Sequence, residues 1–171
     1  MTTPPEEFDE LWRPLPAERG GRVDLGHQFE WAFLLSRAVA KGFPPRYLQT
    51  GRRLLEFGMA HGFDAEAGGI FSSADYSGKP RGQAKGWWQQ CEHLRALMHY
   101  AAEHGQDDLW GPFEKSLAFV REHFIDSEYG GWYASAGGGS GVGRKGSAWK
   151  VGYHTTGMYL EALRLAGELG R

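Results

Sequence analysis

The chain has 171 residues and 41% hydrophobic content, enough for one domain with a core. Its net charge of −2 and pI near 6.4, with scattered basic residues, give no footprint for nucleic acid or an anionic membrane. The single cysteine, Cys91, excludes an internal disulfide and fits a reducing compartment, so a cytoplasmic location is expected.

The opening "MTTPPEEFDE" is polar and acidic, unlike a signal peptide, and looks like a translation start. Residues 1–20 are expected to be an extended N-terminal segment, and 27–169 helical repeats of one domain spanning 1–171. The first helix is predicted over about 27–41, apolar on most sides and closed by Gly42 and the Pro44-Pro45 pair. Its longest apolar stretch, 29–35, contains Glu30 and is too short to span a bilayer. Apolar spacing predicts further helices over about 45–61, 84–104, 107–124 and 150–169. Strand signals are weak and confined to the loops.

Two of those loops repeat. Residues 63–73, "FDAEAGGIFSS", and 125–135, "IDSEYGGWYAS", align with a shift of 62. Asp64 falls on Asp126, Glu66 on Glu128, and Gly68-Gly69 on Gly130-Gly131. Each glycine pair permits positive φ in a tight turn, and the aromatics that follow predict a short hairpin. The period equals two helices and a loop, so stacked helix pairs are expected. The same shift puts Trp87 on Trp149 and Glu92 on His154, while His27 precedes Glu92 by 65 residues near its own helix start. In a ring of helix pairs such positions face one axis, and His27, Glu92 and His154 are expected to share a cavity.

Glu30 lies three residues after His27, on the same helix face. A carboxylate accepting from an imidazole fixes its tautomer and raises its pKa, as acid–base catalysis requires; the plain alternative is a satisfied core histidine. Trp87, Trp88 and Trp149 are sugar-stacking candidates or core residues. The other histidines show no metal-ligand spacing. Cys91 reads as a buried structural thiol. The stretch 136–146, "AGGGSGVGRKG", fits no phosphate-loop pattern and reads as a linker.

"GHQFEWAFLL", "KGWWQQCEHLRAL", "DSEYGGWY" and "KGSAWKVGYHTTGMYLE" together resemble the C-terminal half of the N-acylglucosamine 2-epimerase superfamily, with "GHQFEW" most like its mannose isomerase branch. The resemblance implies an all-α fold, about five helices of an (α/α)6 toroid with short β-hairpins between them. It implies a cofactor-independent, metal-free sugar isomerase or epimerase working through a cis-enediol. His27, His154 and Glu30 would be catalytic, and Trp87, Trp88, Glu92, Trp149 and Lys150 would bind substrate. The chain departs from the family in having Leu25-Gly26 before the first histidine and Gly157 where an arginine often follows the last. The first helices of the toroid are missing, which leaves apolar flanks. Three explanations stay open: a fragment, a half-ring completed by a second copy or partner chain, or a non-catalytic remnant that binds carbohydrate or protein.

Overall fold

The structure, a computed structural model, describes residues 3–136 and 143–170. Residues 137–142, most of the glycine-rich stretch, lie outside it. The described residues form α1 (Leu25–Ala40), α2 (Arg46–Gly62), α3 (Trp87–His104), α4 (Trp110–His123) and α5 (Tyr153–Leu169). Helix α3 is buried from Gln89 through Ala101 because α1, α4 and α5 all pack on it. Helix α2 packs outside α1, so α1, α3 and α5 form an inner row backed by α2 and α4. One apolar core gathers Phe29, Leu54, Leu97 and Tyr100, and another gathers Leu94, Val120, Phe124 and Met158.

Helix starts differ from expectation for local reasons. Helix α1 begins two residues early because Asp24 caps it, its side chain accepting from the Gly26 N–H at 2.9 Å. Helix α3 begins late because Lys85–Gly86 is a strand. Residues 107–109 form a 3-10 turn before α4. The Ser147 side chain holds a turn ahead of α5 by accepting from the Trp149 and Lys150 N–H groups.

The repeated turns form as expected. Gly68, Gly69, Gly130 and Gly131 have φ of 86°, 71°, 72° and 82°, and bridges Phe63–Ile70 and Ile125–Trp132 close the hairpins. Asp64 Oδ1 accepts from the N–H groups of Glu66 and Ala67, and Asp126 Oδ1 does the same for Glu128 and Tyr129. A lysine locks each turn. Lys85 Nζ donates to Asp64 Oδ2 and to the Gly68 carbonyl, both at 2.7 Å. Lys145 pairs with Asp126 and donates to the Gly130 carbonyl at 2.9 Å.

Four two-residue strands connect the units. β1 (Val23–Asp24) pairs antiparallel with β2 (Ser73–Ala74), and β3 (Lys85–Gly86) with β4 (Ser135–Ala136). Each pair ties the lead-in of an inner helix to the loop after the next outer helix. The N-terminal ends of α1 and α3 are thereby fixed to the rim where the site lies. On α5, Leu160 and Leu163 are 61% and 70% exposed, the uncovered flank expected of an incomplete ring. Among the described residues no helix is long and apolar enough to cross a membrane.

Candidate active site

His27 occupies the first turn of α1, and its Nδ1 lies 2.9 Å from Glu6 Oε1. The Glu6 backbone is anchored by its N–H donating to the Arg22 carbonyl. An ionised carboxylate only accepts, so Nδ1 carries the proton and Nε2 is the basic nitrogen. The Glu6 hydrogen bond outweighs burial and raises the His27 pKa above its ordinary value. Beside it, burial pushes the Asp24 carboxyl up to about 6. This corrects the expected His27–Glu30 pair. Glu30 instead accepts from the Tyr153 hydroxyl at 3.1 Å, a bond that joins α1 to α5.

His154 is the second residue of α5, and its Nδ1 lies 2.7 Å from Glu92 Oε1. Glu92 is fully buried, and its other oxygen pairs with Arg95, one turn further along α3. A buried carboxylate needs such partners to stay charged. Between the histidines stands Trp88, its ring centroid 4.9 Å from that of His27 and 5.0 Å from that of His154. Trp87 meets His154 edge-on at 6.3 Å. A cavity of about 320 Å³ opens beside His27, lined by Pro5, Glu6, Glu30, Trp31 and Leu34 among others.

The structure therefore brings His27, Glu30, Trp87, Trp88, Glu92 and His154 together. Trp149 is 87% exposed in the loop before α5. The Lys150 ammonium donates to the Trp132 and Lys145 carbonyls at 2.6 and 2.7 Å, which ties it to the loop. Glu6, Arg95 and Tyr153 are additional site residues. Arg95, three residues from Glu92, and Tyr153, next to His154, lie in motifs that carry the resemblance, and Glu6 does not.

Donor atoms of Glu30, Glu92 and His154 lie within 4.8 Å of one another, close enough for a metal ion to be considered. Glu92 already serves His154 and Arg95, and the guanidinium supplies the local positive charge. Glu92 and His154 of this set are hydrogen-bonded to each other, whereas Glu30 bonds to Tyr153. A second histidine network lies elsewhere between the inner helices. His99 meets Glu161 and Ser36 at 2.8 Å through its two ring nitrogens. All three side chains are buried, so it ties α1, α3 and α5 together.

The sequence model of the family described as N-acylglucosamine 2-epimerase (GlcNAc 2-epimerase) matches residues 2–157. A protein of Rhizobium meliloti named mannose-6-phosphate isomerase is 34% identical over 104 residues, covering 57% of this chain and 25% of its own. A crystal structure of D-mannose isomerase superposes with a TM-score of 0.76 at 25% identity, covering 91% of this chain and 39% of that one. Cellobiose 2-epimerase from Spirochaeta thermophila gives a TM-score of 0.78 at 23% identity, with coverages of 96% and 41%. The fold is half of an (α/α)6 toroid. The chain spans well under half the length of each of these relatives.

Proposed function

Because the chain belongs to the N-acylglucosamine 2-epimerase family, we propose that it carries the acid–base centre of a cofactor-independent sugar isomerase or epimerase. The observation that supports this reading is the contact of both imidazoles with one indole, each imidazole held by its own carboxylate. The substrate is an open-chain aldose of the mannose or glucose type, stacked on Trp88 and Trp87. One histidine removes the C2 proton, the electron pair left behind forms the C1–C2 double bond, and the carbonyl oxygen takes a proton from the other histidine to give a cis-enediol. Return of a proton at C1 with loss of the O2 proton yields the ketose, and return on the other face of C2 with loss of the O1 proton yields the epimer. Glu6 and Glu92 keep the two imidazoles in fixed tautomers while the proton moves.

The test is NMR of a sugar panel in deuterated buffer, with light scattering to give the assembly in solution. Deuterium should enter C2 of mannose or a related sugar, and His27→Ala and His154→Ala should each abolish the exchange. Undiminished exchange in both variants overturns the reading. Gly157, standing where the family resemblance implied an arginine, favours a second reading, a half-ring that binds carbohydrate without turnover. Calorimetric sugar binding without C2 exchange would identify it.

A further inference from the structure

We infer that Arg95 is a positioning residue of this site: it enters the slot that Gly157 leaves in α5, fastens one oxygen of Glu92, and so aims the other at His154. The inference rests on the acid–base reading of the site, but its geometry stands alone. A Cβ added at Gly157 would sit 2.4 Å from Arg95 Nη1, so no larger residue fits there while the guanidinium keeps its place. Glycine inside a helix costs up to about 1 kcal/mol relative to alanine, which makes an interior glycine informative. Here it is exchanged for guanidinium room.

The surroundings fix the guanidinium further. It lies 4.3 Å from the centroid of the Phe33 ring, with the Tyr153 ring at 5.9 Å. The Arg95 side chain is 5% exposed and that of Glu92 not at all, so each is the other's counterion in a nearly dry setting. The groups facing this pair are Glu30 from α1 and Tyr153 and His154 from α5. Glu30 comes within 4.8 Å of Glu92 and His154, while the guanidinium pairs with Glu92. Position 157, where the family resemblance implied a cation, supplies only space, and the charge arrives from α3.

The test uses the full chain and the far-downfield proton NMR signal of an imidazole Nδ1–H bound to carboxylate. His154→Asn assigns the His154 signal, and the His99 signal, bound to Glu161, reports an intact fold. In Arg95→Met the His154 signal should vanish while the His99 signal stays; Arg95→Lys, which keeps the charge, should retain a weakened signal. Gly157→Ala changes no charge but displaces the guanidinium, and should shift or broaden the His154 signal alone. An Arg95→Met protein with both signals intact overturns the inference. If that variant loses both, Gly157→Ala decides, and an unchanged His154 signal there overturns the inference equally. Where C2 exchange is measurable, Arg95→Met should lower kcat by about 100-fold with KM little changed. Loss of the His154 signal in a protein whose parent shows no exchange with any sugar would count against the proposed function and leave the Arg95 assignment standing.

Discussion

Glu6 Oε1 and His27 Nδ1 stand 2.9 Å apart across twenty-one residues of chain. The N-terminal segment thereby reaches into the candidate site. Glu6→Gln replaces a carboxylate that favours the imidazolium with a neutral amide. His27 should then titrate at lower pH than in the parent, whose midpoint lies above 6.5. The sign follows from the raised value: stabilisation from the pair is complete below the unfolded pKa and disappears as pH rises through the folded one. The His27 ring is partly exposed, so the effect belongs in an NMR titration of its Cε1–H. An unchanged midpoint would remove Glu6 from the site.

Trp88 contacts both imidazoles, so its ring current falls on both. Trp88→Leu should move the ring-proton signals of His27 and His154 together, while Trp88→Phe moves them less. A shift confined to one histidine would mean that the indole does not bridge the pair in solution.

The two lysine-locked turns differ in burial. Lys85 is 3% exposed, and Lys85→Met strands the Asp64 carboxylate and the Gly68 carbonyl. A cost of about 3 kcal/mol is expected in chemical denaturation. Lys145, with 35% of its side chain exposed, is the milder case, and Lys145→Met should destabilise less. Equal losses would contradict the difference in burial.

His93 is fully buried, its Nε2 against Ser116 Oγ at 2.9 Å and its ring between Phe29 and Phe63. Burial alone pushes its pKa down to about 3. The folded state therefore refuses a proton that the unfolded chain accepts near pH 6.5. Stability should fall as pH drops below that value, with a loss on the order of 3 kcal/mol by pH 4. His93→Leu should be less stable at neutral pH, yet flatter between pH 6.5 and 4. A parent protein with no acid slope in that range, measured by urea denaturation, would show that His93 is not held neutral by its burial.

Much of this arrangement was legible because repeats encode it. Asp64 and Asp126 with their glycine pairs announced the helix pairs, and histidines near two helix starts announced a shared rim. The limits are equally specific. A shift of 62 equates Lys85 with Ser147, yet the working counterpart is Lys145, displaced by two residues in a loop free to vary in length. Helices α3 and α5 begin at Trp87 and Tyr153, so the helical register differs by 153 − 87 = 66 residues. That offset leaves Trp149 in a loop, aligns His154 with Trp88, and places Glu92 one turn deeper, from where it reaches back to the imidazole. Glu6 left no trace, because its segment is not helical and no periodicity describes the path it takes. Tyr153 displaced His27 as the partner of Glu30 because spacing along α1 says nothing about what α5 presents to it.

Helix α3 is also a gauge block. The helices bearing His27 and His154 both lie against it, and packed helices sit about 8–10 Å apart, within a narrow range set by the side chains at the contact. The reach between the two imidazoles is thus measured in helix diameters, a unit that point substitutions barely alter. Under the proposed function, changes within the pocket can select which small sugar is held, but a much longer span between the two histidines would require moving a whole helix.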